Sequence, residues 1–177
     1  TIAESAASVE IAMRINASQA EPPELKPVSR EELLPLSFAQ QRLWFLDQLE
    51  PGNAFYNIFT GLRLTGRLDE SALEKTLSEI VRRHETLRTT FSIVEGRPVQ
   101  VISPAATFEI PSVDLSGVAE SDQQLLVEQY AREEAQRPFD LATGPMIRAC
   151  LLRLAEEEHV LLFTMHRLRT RQLARHF

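Results

Sequence analysis

The stretch VLLFTMHR, residues 160–167, is the most apolar part of the chain, and the rest of the chain is organised around it. Only Thr164 interrupts the apolar run, which is typical of a strand buried on both faces of a sheet. His166 closes the run, so its side chain is expected at the mouth of that strand, where folds of this kind often place chemistry. Immediately afterwards the sequence changes from apolar to arginine-rich.

The composition is that of an ordinary globular protein. The chain has 177 residues, of which 44% are hydrophobic and 25% are charged, and this length allows one domain with a real core. A net charge of −6 argues against a nucleic-acid-binding surface. A single cysteine, Cys150, excludes a disulfide framework and a cysteine metal site. Neither a membrane-spanning run nor a signal peptide is visible, so a cytoplasmic protein without membrane contact is expected.

The first 32 residues are expected to lie outside the main domain. Residues 1–15 have apolar residues at helical spacing but no helix start, as at the end of a helix whose domain precedes it. Residues 16–32 contain Pro22, Pro23 and Pro27 among polar residues, which predicts a semi-extended linker. A disordered N-terminal arm is the alternative.

A first helix is predicted from a capping box formed by Ser37 and Gln40. Pro51 and Gly52 should end it. Arg42 is either solvated or functional, and Trp44 is either a core residue or functional. The expected inward face comprises Ala39, Leu43, Leu46 and Leu49.

A second helix should begin at Asp69, which is a good N-cap after a strand over residues 55–64. Its expected buried stripe comprises Leu73, Leu77, Ile80 and His84. A lone histidine on such a stripe is more often a core residue than a ligand or a catalyst.

The remaining pattern alternates strands and helices. A hairpin is predicted around Glu95-Gly96, with strands over residues 87–94 and 98–102, and a loop over residues 104–118. A helix capped by Ser121 should run to Gln136. A second hairpin follows, with strands over residues 147–154 and 159–165. This order predicts an α/β fold, a two-layer sandwich in which helices pack on a mixed sheet.

Two long motifs carry a family resemblance. SFAQQRLWFL, residues 37–46, and RHETLRTTF, residues 83–91, resemble the first two core motifs of condensation domains of nonribosomal peptide synthetases. Shorter matches lie at residues 55–58, 64–69, 138–140 and 144–148. The resemblance covers residues 33–166, the N-terminal lobe, and favours the subtype that joins two L-configured units. The motif residues that it marks are Ser37, Gln40, Arg42, Trp44, Arg83, His84 and Glu85.

The resemblance implies a function as well as a fold. The fold would be one lobe of a chloramphenicol acetyltransferase-like pair, with a C-terminal lobe as its partner. The activity would be peptide-bond formation in secondary metabolite or antibiotic biosynthesis. Donor and acceptor carrier domains would present the substrates on phosphopantetheine, with no metal or directly bound cofactor. Residues 1–15 resemble the last helix of such a carrier domain.

The family's active-site motif, His-His-x-x-x-Asp-Gly, is broken here. His166 matches its first histidine, but Arg167 stands where the second histidine, the usual base, belongs. Arg171 and Gln172 replace the Asp and the Gly. An arginine cannot accept a proton near neutral pH. Arg88, in the second motif, is the candidate partner for the missing Asp, which holds the active-site loop in the family.

Residues 167–177 therefore form a basic tail foreign to the family, and we expect this polypeptide to be inactive. A coding-frame change or an artificial join is the preferred explanation, and a natural half-domain with a basic tail is the rival. The alternative function is a binding module that docks carrier domains or forms a homodimer through the exposed inter-lobe face.

Overall fold

A computed structural model describes residue 29 and residues 33–168. The predicted carrier helix over residues 1–15 lies outside the described residues, as do the rest of the linker and the tail beyond Leu168. A compact unit begins at Leu33.

Seven strands and three helices lie within residues 33–168 of this unit. The helices are α1 (Phe38–Leu49), α2 (Glu70–Arg83) and α3 (Glu120–Gln136), with a short 3₁₀ helix at Glu85–Arg88. The strands are β1 (Leu34–Pro35), β2 (Asn57–Thr65), β3 (Thr89–Val94), β4 (Arg97–Ile102), β5 (Ser112–Asp114), β6 (Ile147–Ala155) and β7 (Glu158–His166).

The strands form two sheets rather than one. The larger has the order β2-β7-β6-β5 and is mixed, because β5 runs parallel to β6 while the other pairs are antiparallel. The smaller has the order β1-β4-β3 and is antiparallel. The predicted α/β class with helices on a mixed sheet is confirmed, and the β3–β4 hairpin builds its own sheet with β1.

Strand β7 is central to the larger sheet, as its apolar sequence predicts. It pairs with β2 from Glu158 to His166 on one side and with β6 on the other. Leu161 packs in a cluster that α2 helps to cover, whereas Val160 and Leu162 pack in a cluster that α3 covers. Alternate side chains thus enter cores on opposite faces of the sheet, so polar replacements would be costly on either face.

Helix α1 begins as predicted, and Ala39, Leu43 and Leu46 of its predicted inward face are half-buried. The Ser37 side chain accepts from the Gln40 N–H, and the Gln40 side chain accepts from the Ser37 N–H, which completes the capping box. Gln40 is buried, and Leu43 and Trp44 pack against a core cluster. The prediction that Leu49 also faces inward is wrong, because this last residue of the helix lies away from the core and is 62% exposed.

The buried stripe of α2 also differs from the prediction. The Asp69 side chain accepts from the Ala72 N–H at 2.9 Å, as expected of an N-cap. The stripe then follows a spacing of four residues and comprises Leu73, Leu77 and Val81, with Ile80 40% exposed. The prediction that His84 continues the stripe is wrong. The helix ends at Arg83, and the extended backbone of His84 leaves its side chain exposed.

Three further boundaries needed the tertiary structure. Leu87 and Arg88 belong to the 3₁₀ helix, not to the hairpin, whose turn at Glu95 and Gly96 has the positive φ angles of 51° and 74° that a two-residue hairpin turn needs. Residues 112–114, predicted as loop, form β5 because β6 offers them a parallel partner. The N-cap of α3 is Ala119, with no side-chain cap, so Ser121 lies inside the first turn.

Candidate functional site

His166 lies at the end of β7 with its side chain enclosed. Only 2% of the residue is exposed. Its ring meets Tyr56 at 6.1 Å between centroids and Phe139 at 6.0 Å, both edge-on, with interplanar angles of 67° and 70°. Two aromatic walls therefore fix the plane of the imidazole.

Both the main chain and the ring of His166 are hydrogen-bonded. The His166 N–H donates to the Met146 carbonyl at 3.1 Å. The Leu168 N–H donates to His166 Nδ1 at 3.3 Å. Because Nδ1 accepts, the neutral ring assigned from this bond carries its proton on Nε2.

The turn before β6 holds Phe139, one of the two aromatic residues, against His166. Asp140 accepts from the Ala142 N–H at 2.8 Å and from the Thr143 hydroxyl at 2.7 Å. These bonds, that of the Thr143 hydroxyl first, lower the pKa of Asp140 below its ordinary value. The turn leads through a cis Gly144–Pro145 peptide to Met146, which is fully buried.

A cavity of about 860 Å³ lies beside this turn. Arg88 contributes to one part of its wall, and Met146, Arg148 and Cys150 contribute to another. His166 is not among the described residues that line it, but Met146 belongs to the wall and its carbonyl holds the His166 N–H. Met146 therefore contacts both the cavity and His166.

Arg88 lines the cavity and has a hydrogen-bond donor with no acceptor among the described residues. Its side chain is 19% exposed, Nη1 donates to the Ser103 carbonyl, and Nη2 lies 3.8 Å from a Glu85 carboxylate oxygen. Its Nε is buried and meets no hydrogen-bond acceptor among the described residues. A buried guanidinium N–H without an acceptor is costly, so this side chain suits a further acidic partner.

The first motif connects α1 to the smaller sheet. Gln40 completes the capping box and its Nε2 donates to Gln100 Oε1 at 3.3 Å, while Gln100 Nε2 donates to the Pro35 carbonyl at 2.8 Å. Trp44 is half-buried against the core, whereas Arg42 is exposed, as the solvated alternative predicts. The described contacts of Ser37 and Gln40 are architectural.

The second motif divides into an exposed and a buried half. Arg83 is exposed and pairs with Glu79 at 2.6 Å, His84 is exposed, and Glu85 is half-buried. The second half turns inward, where Leu87, Thr89 and Phe91 are buried. The motif residues that line the cavity are Leu87, Arg88 and Thr90. The structure thus brings Arg88 to the cavity and leaves Arg83 and His84 at the surface.

Comparison with known proteins identifies the family. The profile of the condensation domain matches residues 30–168. The chain belongs to the condensation-domain family. The resemblance that the two motifs carry is thereby confirmed.

Relatives of this condensation-domain chain are peptide synthetases. One of the linear gramicidin synthase proteins of Brevibacillus parabrevis is 49% identical over 143 residues, which is 81% of this chain and 2% of that protein. Phosphinothricin tripeptide synthetase PhsB of Streptomyces viridochromogenes is 38% identical over 168 residues, 92% of this chain and 14% of that protein. The chain therefore spans a small part of these relatives.

Solved structures agree on the fold. The X-domain from teicoplanin biosynthesis matches with a TM-score of 0.71 and 36% identity, over 82% of this chain and 30% of that chain. The starter condensation domain of rhizomide synthetase RzmA matches with a TM-score of 0.69 and 26% identity, over 77% of this chain and 33% of that chain. The described lobe thus corresponds to about a third of each solved chain.

One contributor to the site was missed at the sequence level. Arg148 has both a buried ion pair and a ring contact with Phe139. Its only sequence signal was its place in the matched segment at residues 144–148, which does not reveal a tertiary contact.

Other functional groups are sparse in the described part of the chain. Among residues 29 and 33–168, no group of three or more His, Cys, Asp or Glu side chains could hold a metal ion. No helix within that part is long and apolar enough to cross a membrane. Burial, followed by the nearby Glu134, raises the pKa of the Cys150 thiol, which disfavours the reactive thiolate.

Proposed function

We propose that residues 33–166 are the N-terminal lobe of a condensation domain that forms a peptide bond between carrier-bound thioesters in nonribosomal peptide synthesis. The observation that carries the proposal is the buried His166 at the end of the central strand of a lobe that matches this family. Donor and acceptor carrier domains, their phosphopantetheine arms and a C-terminal lobe would be its partners. A cytoplasmic setting and an antibiotic product belong to the same proposal.

The proposed reaction needs a proton acceptor. The acceptor amine attacks the donor thioester carbonyl, a C–N bond forms, the C–S bond breaks, and the amine proton leaves while the thiolate is protonated. A neutral imidazole suits this proton transfer. In this sequence Arg167 stands at the position of the family's usual base, and its guanidinium is always protonated.

A chimaera tests the parent function. Residues 33–166 would replace the matching lobe segment of a working condensation domain, so that the host supplies the second histidine and everything after it. We expect dipeptide formation from loaded carriers. A matched chimaera that also includes Arg167 should lose that activity. A folded but inactive first chimaera would contradict the proposal.

The 177-residue polypeptide by itself is expected to be inactive. Mixed with loaded donor and acceptor carriers, it should give no dipeptide above background, because its sequence places an arginine at the base position. Dipeptide formation well above the uncatalysed rate would contradict this expectation.

Arg88 is proposed to hold the active-site loop through an Asp in the intact family motif. Its buried Nε without an acceptor among the described residues supports this role. Arg171 stands at that Asp position, so Arg171→Asp should raise the melting temperature, and the gain should vanish in an Arg88→Gln background. An equal gain in both backgrounds would contradict the pairing.

The domain limits are part of the proposal. Residues 1–15 would be the last helix of a carrier domain, residues 16–32 a linker, and residues 167–177 a basic tail foreign to the family. A coding-frame change is the proposed origin of the tail, with a natural half-domain as its rival. The frame-change version requires that an alternative frame of the coding DNA past His166 restores a His-x-x-x-Asp-Gly pattern.

A binding module is the second candidate function, in which two copies of the chain associate or the chain docks a carrier domain. Its support is an exposed group that we call the α1 apolar patch. Phe38, Phe45 and Leu49 share one side of α1 and are 91%, 56% and 62% exposed, and Phe55 beyond the helix is 85% exposed. Exposed apolar groups of this kind favour association.

Sedimentation at several concentrations tests self-association through this patch. We expect a dimer that Phe45→Asp disrupts and that the control Gln48→Asp, at an exposed position of the same helix outside the patch, leaves intact. A strictly monomeric chain would contradict the homodimer.

A further inference from the structure

Arg148 contacts both side-chain and main-chain groups of other elements. It lies on β6 and forms an ion pair with Glu134 of α3 at 2.6 Å, in which each side chain is only 13% exposed. Three further N–H groups donate to main-chain carbonyls, those of Glu134 at 3.4 Å, Arg137 at 2.7 Å and Pro138 at 3.0 Å.

These carbonyls lie at the C-terminal end of α3 and just beyond it, where a helix leaves main-chain acceptors without helical donors. A guanidinium suits this place, since it satisfies several acceptors at once and its charge favours the negative end of the helix dipole. The side chain thereby fixes the path of the chain from α3 into the turn that contains Phe139.

The same guanidinium also contacts the wall of the histidine site. Its central carbon lies 3.8 Å from the centroid of the Phe139 ring, at a distance typical of cation–π contacts. Phe139 in turn meets the His166 ring edge-on at 6.0 Å. A continuous series of contacts thus leads from Arg148 through Phe139 to His166.

The second wall is tied to the same helix end. Asn57 Nδ2 donates to the carbonyls of Ala135 and Arg137, both at 2.9 Å. Asn57 directly follows Tyr56, whose ring meets the other side of His166 at 6.1 Å. The C-terminal end of α3 is therefore a common anchor for both aromatic walls, and the Arg137 carbonyl is bound from both directions.

We infer that Arg148 is a positioning residue for His166: by binding the carbonyls at the end of α3 and stacking on Phe139, it fixes the wall that orients the imidazole. The importance of His166 rests on the proposed function, but the orientation itself is a property of this chain and can be measured without catalysis. The inference and the proposed function can therefore fail separately.

Nitrogen NMR of the ¹⁵N-labelled 177-residue chain tests the inference. Long-range ¹H–¹⁵N spectra report which ring nitrogen carries the proton, and the His166 signals are assigned from their loss in His166→Gln. The native ring should show the Nε2–H tautomer alone, since Nδ1 accepts from Leu168. In Arg148→Lys, which keeps the charge but not the planar fork, the other tautomer should rise to about a tenth of the population.

Two variants complete the experiment. Arg153→Lys, the same exchange at a half-buried position of the same strand, should leave the His166 signals unchanged. Phe139→Leu keeps the Arg148 side chain but removes the ring, so it should reproduce the tautomer change, and it alone decides the matter if Arg148→Lys does not fold. Unchanged His166 signals in folded Arg148→Lys or in folded Phe139→Leu, or an equal change in Arg153→Lys, would overturn the inference.

Discussion

Two histidines of this chain lie in stretches that match family motifs, yet their surroundings are opposite. His84 follows the last turn of α2 and is exposed, whereas His166 ends β7 and is 2% exposed between two aromatic rings. Helical spacing predicted that His84 would be buried, and it failed because the helix stopped one residue earlier. Strand β7 is paired on both sides, and Phe139 in the turn before β6 packs against its last residue, His166. The His166 side chain is therefore enclosed.

Burial, and not motif membership, therefore sets what a residue contributes to stability. The second motif shows this within nine residues, since its first half is exposed and its second half enters the core. Substitutions at buried and at exposed residues of the motifs should therefore differ widely in their cost to stability.

Replacing Phe91 should be the most damaging change in the second motif. The residue is 2% exposed in a core cluster, so Phe91→Ala leaves a cavity and should lower the free energy of unfolding by about 3–5 kcal/mol. Urea denaturation followed by circular dichroism measures the loss. His84→Ala in the same motif is the control and should change stability by no more than about 0.5 kcal/mol. Similar losses in both variants would contradict the distinction.

Replacing His166 tests the other side of the comparison. His166→Ala removes a buried ring that touches Tyr56 and Phe139, so a loss of about 2–4 kcal/mol is expected in the same assay. If instead His166→Ala costs no more than His84→Ala, the enclosure of the imidazole described above is wrong.

Two serines extend the comparison to helix caps. Both Ser37 and Ser121 were predicted to cap helices, but only the Ser37 side chain accepts from the main chain of its helix. Ser37→Ala should therefore cost about 1 kcal/mol, while Ser121→Ala should be close to neutral. Thermal unfolding of the two variants is the measurement, and an equal drop in melting temperature would count against the assigned caps.

The smallest expected effect lies at the exposed end of α2, close to His84. Hydrogen bonds from Arg82 and then Arg83 lower the pKa of Glu79 to about 2. Because the folded pKa lies below the unfolded one, the stabilisation is present above about pH 4.5 and is lost as the pH falls towards 2. The effect should be small because the carboxylate is solvated.

Acid titration of unfolding checks the sign. Glu79→Gln should flatten the pH dependence of stability between about pH 4.5 and 2, and Arg82→Gln should flatten it in part. If the stability of Glu79→Gln instead falls with pH as steeply as that of the native chain across this interval, the Glu79 ion pairs do not contribute to acid stability.

The sequence determined much of the fold. Local sequence signals were sufficient for features that depend on residues within a single element. These are the capping box at Ser37, the N-cap at Asp69, the Glu95-Gly96 turn and the buried strand β7. Each depends on neighbouring residues or on an unbroken apolar run. The two motifs likewise identified the family, since they are long and lie in the right order.

The remaining features follow from tertiary packing, because they depend on what packs against a residue from elsewhere in the chain. The division into two sheets, the exposure of His84 and the enclosure of His166 all follow from which elements meet. The same holds for Arg148, whose partners lie up to 14 residues away along the chain on α3 and the following turn. The spacing of apolar residues predicts the buried face of a single helix or strand, whereas a site forms where the ends of several elements meet.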